Sequence, residues 1–138
     1  MDDHDNELDG LIDEHRDLMT MMGRLQRAIG QPDTDVDGLL DQLENALAHH
    51  TEREETGLFH TLHGIEVGSE YMGLFEHDHG HLVELIESAR RDRGSVDDLV
   101  TSLRAHMDRE ENDMFPAAEQ LLAPADWDAV DAAVAHLR

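Results

Sequence analysis

HTEREETGLF, residues 50–59, places a glutamate where the preceding helical turns keep their leucines. An α-helix turns about 100° per residue. On that wheel His50 and Glu54 fall in the middle of the stripe made by Val36, Leu43 and Leu47. A buried carboxylate without a partner is costly, so its place on an apolar face needs a cause. The stretch recurs as HMDREENDMF, residues 106–115. His50, Glu54, Glu55 and Phe59 return as His106, Glu110, Glu111 and Phe115 at an offset of 56. His106 and Glu110 again centre an apolar stripe, that of Leu99 and Leu103. Residues four apart stack on one helix face, about 6 Å apart along the axis. Two His-x-x-x-Glu pairs on separate helices can therefore meet at one point inside a core.

The repeat extends to the segment in front of each pair. Leu8, Leu11, His15, Leu18, Met19, Met22 and Gly30 return as Met72, Phe75, His79, Leu82, Val83, Ile86 and Gly94, at an offset of 64. Apolar periodicity predicts four long helices. The first ends at the Gly30-Gln-Pro-Asp-Thr34 break. The second spans about 35–63 and is broken by Gly64 and Gly68. The third starts at Ser69 and buries Val83 among others. The fourth is capped by Ser95 and interrupted or ended by Pro116. A short C-terminal helix follows Pro124, anchored by Trp127 and Val130. No segment reads as a strand. Short connections between long helices imply antiparallel neighbours. The expected architecture is all-α: one domain, residues 1–138, an up-down-up-down antiparallel four-helix bundle with a short C-terminal helix. Met19, Met22, Met107 and Met114 read as core filling.

Composition narrows the chemistry. The 138 residues carry 33 Asp plus Glu against 10 basic residues, a formal net charge of -23, and all ten basic residues are Arg. Such a surface repels phosphate backbones and anionic membranes, so neither nucleic acid nor membrane is an expected partner. Cys is absent, which excludes disulfides, thiolate metal sites and thiol catalysis. The start, MDDHDNELDG, has no apolar signal core, and the expected setting is the cytoplasm. Self-repulsion at this charge destabilises a compact chain unless ions screen it. Lys is absent, which fits adaptation to high salt better than to heat, where Lys usually rises with Glu. A halophilic prokaryotic source is expected, and the fold should weaken when salt is dialysed away. Equal circular dichroism and melting temperature in molar and millimolar salt would contradict this.

Among the eleven histidines, wheel position selects His15, His50, His79 and His106 as inward. With Glu54 and Glu110 they give each half-repeat two imidazoles and one carboxylate. Nitrogen and oxygen donors together suit iron, manganese or zinc, and bundle cores house paired-metal carboxylate sites. On the third helix His77 and His81 are the alternatives to His79. They are four apart, but facing them inward turns the apolar stripe outward. His4, His49, His60, His63 and His136 read as surface, loop or supporting residues, and Glu55 and Glu111 as outward or as contacts behind the ligands. Removing the metal is expected to leave Glu54 and Glu110 with raised pKa values.

With DEHRDL at 13–18, HTEREETGLF at 50–59, HMDREENDMFPAAEQLL at 106–122 and the PADW that follows, the chain resembles the hemerythrin-like, or HHE, cation-binding domain along nearly its whole length. The resemblance implies a four-helix bundle with a non-haem di-iron centre, oxo- or hydroxo-bridged, that binds or senses oxygen. The oxygen carriers of that family bring a second inward histidine four residues from the first on the third helix. Here those positions are Phe75 and Val83, a pattern similar to the six-ligand branch of prokaryotic members and iron-sensing regulators. The leading functional expectation is a non-enzymatic protein that binds or senses oxygen or iron, with dioxygen or another diatomic as ligand. A di-iron oxidoreductase (ferroxidase, peroxide removal or nitrosative-damage repair) and a metal-independent helical module with a protein partner are the alternatives.

Overall fold

The computed structural model describes residues 3–65 and 69–137, with side chains described from Glu7 onward and excepting Ser69 and Glu70. Gly68 and the side chain of His4 lie outside the described residues. Helices α1 (Asp3–Ala28), α2 (Val36–Arg53), α3 (His60–His63), α4 (Ser69–Arg91), α5 (Val96–Arg109), α6 (Phe115–Leu121) and α7 (Pro124–Val134) follow in order. No strand occurs among the described residues. Asp35 caps α2 through a bond from the Gly38 amide. Ser95 makes no side-chain cap on α5; Asp92 takes that role one turn earlier, accepting from the Gly94 amide at 2.9 Å, because a 3₁₀ turn over Arg93–Ser95 leads into the helix.

α1 packs on α2 and α5, and α4 packs on α2 and α5, so the four long helices form a closed ring of neighbours in a helical bundle. α7 lies against α1 and the C-terminal part of the second long helix. Two apolar clusters fill the interior. Leu18, Met22, Leu43, Leu47, Leu82, Ile86, Leu99 and Leu103 belong to one; Leu8, Leu11, Leu58, Phe59, Phe75, Met114, Phe115 and Trp127 belong to the other. On each long helix the inward histidine comes between residues of the first cluster and residues of the second, so a polar layer separates them. Met19 and Val83 are exposed, at 46% and 53%, rather than buried as the periodicity suggests. Each sits about 40° round the wheel from its histidine, at the edge of the stripe. Met22, Met107 and Met114 are buried.

Both glutamate-bearing helices pass through a π turn, over Glu54–Phe59 and Glu110–Met114. A π turn is an insertion into the α-helical ladder, frequent at functional sites. On an unbroken α-helix Phe59 would point about 180° away from His50. The wider turn swings it inward, so Leu58 and Phe59 are both buried, as are Met114 and Phe115. It also explains why Pro116 does not end the helix. Where i→i−5 bonding returns to i→i−4, a carbonyl is passed over, so the missing proline N–H costs little there.

Candidate metal centre

His15, His50, Glu54, His79, His106 and Glu110 are all buried, with both glutamates at 0% exposure. They meet in the layer between the two apolar clusters. His15, His50, Glu54 and Glu110 offer ligand atoms within 4.8 Å of one another, and so do Glu54, His79, His106 and Glu110. The two carboxylates belong to both groups. His15 Nε2 lies 2.9 Å from Glu110 Oε1 and 3.0 Å from His50 Nε2. His50 and His79 Nε2 are 3.3 and 3.2 Å from Glu54 Oε1, and His106 Nε2 is 3.2 Å from Glu110 Oε2. His77 and His81 are exposed, outside this layer.

Every one of the four imidazoles turns its other nitrogen to a carboxylate. His15 Nδ1 meets Glu111 at 2.8 Å, His50 Nδ1 meets Glu14 at 2.8 Å, His79 Nδ1 meets Glu55 at 3.1 Å and His106 Nδ1 meets Asp78 at 3.3 Å. The pattern obeys the internal repeat. The acid preceding the ligand candidate of α1 or α4 supports the histidine of the next long helix, and the acid following each central glutamate supports a histidine of the other half. Carboxylates only accept, so each Nδ1 carries a proton, and a ring in its neutral form then aims an Nε2 lone pair inward. Phe59 stacks on His79 with ring centroids 5.4 Å apart, and Phe115 on His15 at 5.8 Å. The π turns make both contacts.

Four lone pairs aimed at two carboxylates repel unless positive charge sits among them. Among the described residues, Glu54 Oε1 and Oε2, His79 Nε2, His106 Nε2 and Glu110 Oε2 are buried with no hydrogen-bond partner. Buried polar atoms left this way mark a missing counterpart such as an ion. Protons alone meet the need in part. Burial lowers the pKa of His79, but the carboxylates of Glu110 and Glu54 outweigh it and raise it to about 10. His50 and His15 are raised through the same opposition, burial against the carboxylates. Burial pushes Glu110 up, but contacts with His106, His15, His50 and His79 hold it well below the usual range. The expectation of a raised Glu110 pKa is therefore corrected: the imidazoles supply the charge that desolvation withholds. A divalent cation supplies the same charge at fixed points, and the donor set fits a nitrogen–oxygen metal.

Residues 6–118 match the hemerythrin HHE cation-binding domain. The chain belongs to this family. No curated protein and no solved structure matches it. The family description and the two buried His/Glu groups together support metal binding by this HHE domain. No described helix is long and apolar enough to cross a membrane.

Arginines behind the acids complete the frame. Arg53 holds Glu14 at 3.1 Å and Glu7 at 2.7 Å, and Arg109 holds Asp78 at 2.6 Å. Burial raises Glu14, and His50 with Arg53 lowers it on balance; Asp78 is lowered by Arg109 and His106 against the same opposition. Sequence reading passed over these arginines, although HTER-E and HMDR-E repeat them in register. Acids that orient metal-binding imidazoles usually matter about 10–100-fold in affinity. Glu14→Ala is expected to weaken metal binding by about that factor, measured by competition with a chelator. An unchanged affinity would show that Glu14 does not orient His50.

Proposed function

We propose that this HHE domain holds two iron ions between His15, His50, His79 and His106, shared by Glu54 and Glu110, and binds or senses dioxygen. The supporting observation is the pair of four-residue groups that have both carboxylates in common. His15 and His50 would hold one ion and His79 and His106 the other, with Glu54 and Glu110 offering donors to both. Iron held there would supply electrons to a small ligand. The chain does the rest. Glu14, Glu55, Asp78 and Glu111 fix the tautomer and angle of the four rings. Phe59 and Phe115 cover the rings with apolar surface and exclude water from the layer. The scaffold is an up-down-up-down four-helix bundle, and the setting is the cytoplasm.

Among the described residues, the carboxylates of Glu14, Glu55, Asp78 and Glu111 beside the layer are each engaged by a ring nitrogen, so none of these four stands free as a general acid or base. This favours binding over turnover. The test is an optical spectrum of the iron(II)-loaded protein before oxygen, after oxygen and after removal of oxygen. A new visible band that reverses is expected. Rapid consumption of peroxide with no reversible band would instead favour the oxidoreductase reading.

A further inference from the structure

The two halves of the centre share their ligand pattern and differ just outside it. In the first half Arg53 is only 9% exposed. It is clamped by Glu7 and Glu14 and lies on Gly10, where a Cβ would come within 2.5 Å of the guanidinium. At the offset of 64, Glu7 becomes Tyr71 and Gly10 becomes Leu74; at 56, Arg53 becomes Arg109. Tyr71 brings no carboxylate, and Leu74 carries a side chain where Gly10 has none. Arg109 holds Asp78 and stays 48% exposed. The C-terminal helix adds to the contrast. Gly57 lets Val134 and Val130 of α7 close over the first π turn, where a Cβ would meet them at 2.6 and 3.2 Å. Its counterpart is Asp113, which faces open space.

That space is a cleft of about 300 Å³ bordered by Tyr71, Leu74, Phe75, Asp78, Arg109 and Asp113. Phe75 is its inner wall. The ring is 4% exposed and meets His106 edge-on at 6.1 Å. It stands four residues before His79, so it occupies the same face of α4 one turn away. The unpartnered Nε2 atoms of His79 and His106 belong to this half.

We infer that this cleft is the route by which a small neutral molecule of two or three atoms reaches the His79/His106 half of the centre, past Phe75. The inference rests on the metal-binding reading above. The Tyr71, Leu74 and Phe75 walls favour an apolar visitor. Asp78 and Asp113 at the rim, on a chain of net charge -23, repel anions. The cleft stops at Phe75, whereas a second cavity, of about 350 Å³ between α2 and α4, is lined by His79 itself, and a small one of about 90 Å³ by His106. Glu44, Glu55 and Glu76 border the former, and Asp78, His81 and Arg109 the latter. These cavities carry charged groups along their walls, whereas the cleft has its two carboxylates at the rim and Tyr71, Leu74 and Phe75 inside, which makes the cleft the better path for an apolar molecule.

The test uses nitric oxide as the probe, mixed with the iron(II)-loaded chain in a stopped-flow spectrometer. The double variant Tyr71→Glu/Leu74→Gly copies the first half's arrangement and lets Arg109 fold down over the cleft. Leu74→Trp plugs the cleft from a position that is 65% exposed, so it spares the fold. Both are expected to slow association by about ten-fold or more at unchanged iron content and circular dichroism. Unchanged rates in both overturn the route, as does slowing confined to Val83→Trp, which blocks the cavity between α2 and α4. A wild-type chain that takes up no iron overturns the metal reading itself, whereas iron uptake with unchanged rates overturns the route alone.

Discussion

Glu110→Ala should release most of the bound metal and weaken the residual affinity by more than about 100-fold, beyond the range expected for an outer acid. Glu110 is the residue that all four imidazoles approach: His15 at 2.9 Å, His106 at 3.2 Å, His50 at 3.7 Å and His79 at 3.8 Å. Its loss takes a donor from both groups at once. It also leaves protonated imidazoles in the core without their main counter-charge, and breaking a buried pair this way costs about 3–5 kcal/mol. The variant should therefore melt well below wild type. Glu111→Ala is the companion, because Glu111 touches His15 only from behind, through Nδ1. It should keep the fold and lose affinity by about 10–100-fold. Metal content and melting temperature check both. Equal metal content in Glu110→Ala and wild type would contradict the shared role of this carboxylate.

A second large effect is expected in the pH dependence of the metal-stripped protein. The folded pKa of His79 is about 10 against an ordinary 6.5. A raised pKa means the folded state holds its proton more tightly than the unfolded chain. That contribution is fully present below pH 6.5 and is lost as pH climbs through 10. His50 and His15 are raised too and act in the same direction. Glu110, Glu14 and Asp78 are lowered, so their contributions are present above their ordinary values and are lost as pH falls. Chelator-treated protein should lose melting temperature between about pH 6.5 and 10. Metal must displace the protons on these rings, so metal affinity should rise across the same window. The loaded protein is the control, since surface acids titrate alike in both. A chelated melting curve that is flat from pH 6.5 to 10 would contradict the protonated cluster.

Glutamates centred on apolar stripes were enough to find the candidate site. Glu54 and Glu110 stand out because nothing but a partner permits a carboxylate at such a position, and the two offsets pair them with His15 and His79. Helix ends were legible from Asp35 and Gly30, where the physics is local. Phe59 and Phe115 were not legible as neighbours of the rings. A fixed period of 3.6 points them outward, and the π turns that reverse this leave no plain signature in residue type. The role of Arg109 was hidden for another reason. It repeats Arg53, but what it does depends on Tyr71 and Leu74 standing where Glu7 and Gly10 stand in the other half. Met19 and Val83 show the opposite failure: periodicity placed them inside, but their helices meet neighbours over a narrower arc than the stripe covers.

The central claim is that these six residues hold two metal ions. Metal analysis of the purified wild-type chain after iron-replete expression tests it most directly. The account predicts two iron ions per chain, held through dialysis at neutral pH. Fewer than one transition metal per chain would contradict it.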